Sequence, residues 1–185
     1  MRNLASNREP DRNPSMISVV IAAKDQEYAL AETLAALVPA AADGFLREVI
    51  VADGGSNDGT LTVADAVGCV ILSGGVADGL KLARSEWVLV IAPGIRLEAD
   101  WFREAGVLLQ RSQRGGRKVA ALFRGAVDDY GWQARLKEIG LKLSRASRRR
   151  QAVLAPRIAL IKGERLKVFA LRSRAFVGEA GHSLP

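Results

Sequence analysis

The chain has 185 residues, 49% hydrophobic and 25% charged, the composition of a globular protein with room for one domain and a proper core. No apolar run approaches the roughly 18 residues of a membrane span. A single cysteine (Cys69) and a single histidine (His182) exclude an intrachain disulfide and a Cys/His zinc site. The net charge of +7 is unevenly spread: residues 1–105 hold 9 Lys/Arg against 15 Asp/Glu, and residues 106–185 hold 18 against 5. That asymmetry turns the second half either towards something anionic (phosphate, lipid headgroups, nucleic acid) or simply towards solvent.

Residues 1–15 are polar, lack the apolar centre of a signal peptide and read as a disordered leader, with Met16 as an alternative start; a cytoplasmic location is the expectation. Ile17 to Ala22 form a continuous apolar run, a buried strand, ending in a polar turn. Tyr28, Leu30, Leu34, Leu37 and Val38 then recur at helical spacing, and Pro39 is expected to end that helix. "REVIVA" is a second apolar strand, running into "DGGSNDGT". Asp58 or Ser56 caps the next helix, which Gly68 closes. "CVILS" is a third strand, with Cys69 as a buried, inert thiol. A glycine-led turn and short helix precede a fourth strand, "EWVLVIA". A helix follows with Leu97, Trp101, Ala105 and Leu108 on one face.

Beyond Gly115-Gly116 the pattern loosens. "KVAALFRGAV" reads as a strand, and "GWQARLKEIGLKLSRASRRRQ" as a helix with Trp132, Leu136, Ile139 and Leu143 on its apolar side, ending in Arg145, Arg148, Arg149 and Arg150. "RIALIKGERLKVFA" reads as a hairpin or as a strand leading into a helix. Regular alternation of helices with continuously apolar strands predicts one α/β domain over residues 16–185, a Rossmann-like, mostly parallel sheet with helices on both faces. Ligands of such sheets bind beyond the carboxyl ends of the strands. Asp25, Asp53 and the turn Ala92-Pro93-Gly94 all fall at such ends, so three loops should meet on one rim. No G-x-G-x-x-G follows the first strand, which argues against a dinucleotide site.

"ISVVIAAKDQE", "EVIVADGGSNDGT" and "ARSEWVLVIAPGIRLEADW" together resemble the opening of a family 2 glycosyltransferase of the nucleotide-diphosphosugar (GT-A) fold. The resemblance runs from Ile17 to Trp101 and more weakly to Phe176, and the double glycine is similar to a bacterial subgroup of short members. It implies a UDP- or GDP-type sugar donor, with the nucleoside held by Ala23, Asp25, Asp53, Gly55 and Ser56. The chemistry is compatible: an Asp53 carboxylate can accept from a ring N–H, and glycines let backbone approach a flat base. Read without the resemblance, "DGGSNDGT" is a turn with a helix cap. The resemblance also divides the domain into a nucleotide-binding half, residues 16–105, and a basic acceptor-side half, residues 106–185.

Departures from the family pattern cluster in one place. The family holds Mg²⁺ or Mn²⁺ with an Asp-x-Asp-like motif, and this chain has Ala92, Pro93 and Gly94 there, so no metal cofactor is expected. Gly74, Gly75 and Ala77 stand where the family has arginine and asparagine, and Leu154–Ile161 where the subgroup has a Gly-Asp-Gln-like loop. Glu179 is the one acid in the final stretch, and the catalytic base is unassigned. Arg96 is either a cation that offsets a leaving diphosphate or a surface arginine. Three readings follow. One is a glycosyltransferase, metal-independent or inactive, acting on an anionic or lipid-linked acceptor at the inner membrane surface. The second is a non-catalytic nucleotide-sugar binder or partner subunit. The third, a nucleic-acid binder, is disfavoured because no aromatic lies between Lys142 and Gln151 to stack on bases.

Overall fold

A computed structural model describes residues 16–115, 119–125 and 152–177. Its strands are β1 (Ile17–Ala23), β2 (Leu46–Asp53), β3 (Val70–Ser73), β4 (Trp87–Ile91), β5 (Ile95–Leu97), β6 (Val119–Gly125), β7 (Ala152–Pro156) and β8 (Lys167–Val177). Its helices are α1 (Glu27–Ala42), α2 (Thr60–Ala66), α3 (Val76–Leu82), α4 (Trp101–Gly115) and α5 (Arg157–Lys162). The strands form one sheet in the order β3-β2-β1-β4-β7-β6-β8-β5. β3, β2, β1 and β4 are parallel, β7 runs against both β4 and β6, β8 is parallel to β6, and β5 closes the far edge antiparallel to β8. This is the expected mostly parallel α/β sheet.

The unbroken apolar strands have their cause in the two covered faces. All seven residues of β1 are buried. Ile17, Val19, Ile21 and Ala23 point into a core shared with α1, α2 and α4, while Val20 and Ala22 point into a second core under α3 and α5. α1 contributes Leu30, Leu34 and Leu37 to the first core, each worth about 1.5–3 kcal/mol on burial. Trp101, at the start of α4, meets Phe45 and Phe123 edge to face at 5.7 Å. On the other face α3 lies close to β1 through Gly79, where an added Cβ would stand 2.7 Å from Val20 Cγ1.

The end of the sheet where the parallel strands begin is tied by Glu48. Its carboxylate accepts from the Ser18 hydroxyl and the Arg84 N–H, both at 2.7 Å, and the Ser85 N–H donates to Ser18 Oγ at 3.1 Å. Register places Ile17, Leu46 and Trp87 in one row here, with Pro156 beside Trp87. The opposite row holds Ala23, Asp53 and Ser73.

Several expectations need correction. Pro39 does not end α1, which continues to Ala42; the ring sits in the last turn, where few hydrogen bonds remain to be lost, and the Asp43 N–H still reaches the Pro39 carbonyl at 3.1 Å. Tyr28 and Val38 are exposed, not core. Leu97 belongs to β5, and the buried face of α4 is Trp101, Phe102, Ala105 and Leu109, with Leu108 only flanking it. "RIALIK" is a helix followed by a strand, the reverse of the expected order; Gly163, at φ 63°, ends it in the left-handed conformation. Cys69 lies just before β3, half-buried, with burial pushing its thiol up to about 11. The leader, the helix expected around Trp132 to Leu143, Arg145, Arg148, Arg149, Arg150 and Glu179 lie outside the described residues.

Candidate functional site

β1 and β2 end side by side, and the loops that leave them are bound to each other. Ala23, the last residue of β1, accepts the Gly54 N–H at 2.9 Å. Asp53, only 7% exposed, folds back onto its own turn. Its carboxylate accepts from the Gly55 N–H at 3.0 Å, the Ser56 N–H at 3.2 Å and the Ser56 hydroxyl. The Ser56 hydroxyl bond is the strongest influence on Asp53 and, with the two N–H bonds, holds its carboxyl below the ordinary value against the opposing effect of burial. Gly55 makes the turn possible at φ +88°, which a side chain would strain.

The same serine reaches the neighbouring loop. Ser56 Oγ accepts the Asp25 N–H at 3.0 Å, and Asp25 Oδ1 accepts the Asn57 N–H at 2.7 Å. These bonds hold Asp25 at φ 51°, a left-handed conformation rare outside glycine. A second pair of acids completes the staple. Asp58 accepts from the Glu27 N–H at 3.1 Å and from the Thr60 N–H at 2.9 Å, the first N–H groups of α1 and α2, and so satisfies one unpaired donor of each helix. Glu27 accepts the Gly59 N–H at 3.2 Å in return. Neither cap candidate stands at the N-cap of α2, which is Gly59; Asp58 accepts the Thr60 N–H from one residue earlier, and Ser56 serves Asp53 instead. The Thr60 hydroxyl chiefly holds the Asp58 carboxyl below its ordinary value.

The third loop packs against α1. The Gly94 N–H donates to the Ala29 carbonyl at 2.8 Å, and the Ala92 carbonyl accepts from Thr33 Oγ1 at 3.5 Å and from the Ile95 N–H at 3.3 Å. Arg96 follows on β5, exposed between buried Ile95 and Leu97. Ala23, Asp25, Asp53, Gly55 and Ser56 therefore form one hydrogen-bonded group, and Arg96 is not bonded into it.

No protein-family model matches the chain, and no curated protein matches it. Solved structures do. The glucosyl-3-phosphoglycerate synthase of Mycobacterium tuberculosis, in complex with Mn²⁺, UDP and glucosyl-3-phosphoglycerate, is similar at 18% identity and a TM-score of 0.58, over 88% of this chain and 71% of that one. S. aureus TarS is similar at 17% identity and a TM-score of 0.62, over 88% of this chain and 36% of that one. The TarS fragment 1–349 gives 16% identity, a TM-score of 0.61, 88% of this chain and 60% of that one. The chain has the GT-A fold. It spans little more than a third of the longer TarS chain.

The GT-A synthase structure holds a divalent ion, and the residues at this rim do not fit one. Hard cations take oxygen ligands. Ala92, Pro93 and Gly94 offer no side-chain oxygen, and the Ala92 carbonyl already has two donors. Asp53 has both carboxylate oxygens engaged by its own turn, and Asp58 has one engaged by Thr60 and the other by the Glu27 N–H. Among the described residues no group of three or more His, Cys, Asp or Glu could hold a metal ion.

Two features escape sequence reasoning. The Glu27–Gly59 bond joins residues 32 apart, and nothing local in the sequence signals it. The other is Glu104 on α4, beside a cavity of about 550 Å³ between α4 and β8. β8 bulges where its pairing to β6 slips between Leu122 and Arg124, and the Arg172 and Ser173 N–H groups donate to Glu104 at 2.8–3.0 Å. Burial pushes the Glu104 carboxyl up, but these donors outweigh it and the net shift is downward. The cavity balances Glu98, Asp100 and Glu104 against Arg103, Arg111 and Arg172, so it has no clear preference for an anion.

Proposed function

We propose that the protein binds a UDP- or GDP-type nucleotide sugar at the rim formed by Ala23, Asp25, Asp53, Gly55 and Ser56. It would serve glycosyl transfer to an anionic or lipid-linked acceptor. The observation that carries the proposal is the pair of mutually bonded loops at the carboxyl ends of β1 and β2, where open α/β sheets receive ligands. The GT-A likeness supports it, since a protein of this fold is named in complex with UDP. Asp53 organises the turn, and a ring N–H would share its carboxylate with the Gly55 and Ser56 donors. Gly54 and Gly55 are exposed and keep backbone open to a flat base.

The donor set favours a second reading alongside the first. Without carboxylates for a metal, a leaving diphosphate keeps its charge unless a cation such as Arg96 offsets it. Sugar transfer is then slow or absent, and the chain acts as a nucleotide-sugar binder or as a partner subunit. A peripheral position at the inner membrane surface, through Arg145, Arg148, Arg149 and Arg150, belongs to the same proposal. Calorimetric titration with UDP, GDP and their sugars, with and without Mn²⁺, tests both readings. Binding without metal supports the rim assignment. Mn²⁺-dependent transfer lost on adding EDTA returns the protein to ordinary metal-dependent catalysis. No binding of any nucleotide removes the proposal.

A further inference from the structure

β3 is the outer strand of the sheet at the end opposite β5. Just past it, the Gly74 N–H donates to the Asp53 carbonyl at 3.0 Å, and this fixes the direction of the backbone groups along the strand. Val70 and Leu72 turn theirs towards β2, as Gly74 does, and Ile71 and Ser73 turn their N–H and C=O groups away from the sheet. Among the described residues no strand or turn meets these outward groups. The side chains alternate between the faces. Val70 stands beside Ile50 on the side of the second core, and Ile71 beside Val51 on the side of the first. α3 returns over β1 and β2, and both edge side chains stay uncovered, Val70 at 37% and Ile71 at 38% exposure. Edge strands are commonly guarded by a charge, a proline or a covering segment. In a chain that is 25% charged, residues 66–77 contain no charged side chain and no proline.

We propose that β3 is a self-association edge, on which β3 of a second copy pairs antiparallel about a two-fold axis at Ile71. The occupant is a copy of this chain because the pairing closes on itself. A two-fold axis normal to the sheet keeps each face on its own side, so Ile71 stands opposite Ile71. The outward N–H and C=O of each isoleucine then bond to the other, which is the hydrogen-bonded pair of an antiparallel ladder. One residue along, Val70 stands opposite Leu72 of the second copy in the closer pair without hydrogen bonds, both on the second-core side. The neutral segment meets its own image without like charges facing each other. An edge of four residues is smaller than the roughly 1,200 Å² of a stable interface, so the dimer is reversible and forms with rising concentration. Antiparallel pairing points the two rims in opposite directions, and the inference does not depend on what the rim binds.

Sedimentation velocity over a series from micromolar to millimolar protein tests this, with amide hydrogen exchange read at both ends of the series. The mass of the wild type should rise towards that of a dimer. The Ile71 amide should exchange quickly in dilute protein and slowly in concentrated protein, while the Leu72 amide, which faces β2, is slow in both. Ile71→Pro removes an N–H that points out of the sheet, and Ile71→Lys sets two like charges opposite each other. Each should keep the circular dichroism melt of the wild type and stay monomeric. Val38→Lys, on the exposed side of α1, should dimerise as the wild type does. If one Ile71 variant fails to fold, the other and the wild-type exchange pattern decide. A wild type that is monomeric throughout the series overturns the proposal. So does a dimer undiminished in the folded Ile71 variants. An Ile71 amide already protected in the dilute monomer also overturns it and assigns the edge to another segment of the same chain.

Discussion

Asp53 and Glu104 do comparable work at opposite parts of the sheet: each accepts backbone N–H groups that a strand ladder has left behind. Asp53→Ala should weaken nucleotide binding by about 1–3 kcal/mol, read by calorimetry, because the turn that presents the site loses its acceptor. The Asp53 carboxyl is held below its ordinary value of 3.8, so its stabilisation is complete above that pH and disappears as pH falls through the lowered folded value. Urea unfolding should therefore show the gap between wild type and Asp53→Asn narrowing as the pH is taken below about 4. Glu104→Ala strands two N–H groups at the β8 bulge and should cost about 1–3 kcal/mol, seen as a lower Tm. Asp25 and Asp53 could be picked out in the sequence because each follows an apolar run. Glu104 could not, because its partners lie 68 and 69 residues away and a glutamate in the first turn of a helix needs no special explanation.

Among the elements, α3 is held against the sheet by one close contact at Gly79. Gly79→Ala improves helix propensity by about 1 kcal/mol, yet its Cβ would stand 2.7 Å from a methyl of buried Val20. Net destabilisation of about 1–3 kcal/mol is expected, and it should be smaller in a Val20→Ala background, a coupling that a double-mutant cycle by denaturant melt would measure. The first four strands were legible because their apolar runs are bounded by glycines and polar turns. "RIALIK" was not, since a short apolar run fits strand and helix alike. What decides it is packing on one side only, with Ala159 and Leu160 inward and Ile158 and Ile161 outward, together with a glycine able to take φ 63° at its end. Pro39 is a breaker by residue type, but it stands only three residues before the end of α1 at Ala42, so its effect on the helix is small.

For the whole molecule, the mostly parallel sheet and its two covered faces followed from the alternation of elements, while the strand order, with β7 inserted antiparallel between β4 and β6, did not, because the β4–β7 pairing joins residues more than sixty apart. UDP affinity should be the same with Mn²⁺ and with EDTA, since the rim has no free pair of carboxylates to share an ion with a diphosphate. The loops that would receive the nucleotide are already fastened to one another by Ser56, Asp25, Asp58 and Glu27 before any ligand arrives. Their ordering entropy is thus spent during folding, not during recognition. Association should then behave as the meeting of two rigid bodies. Hydrogen exchange at the amides of Asp25, Gly55, Ser56 and Asn57 should be slow in the free protein and should change little on saturation, in contrast to a lid that closes over its ligand.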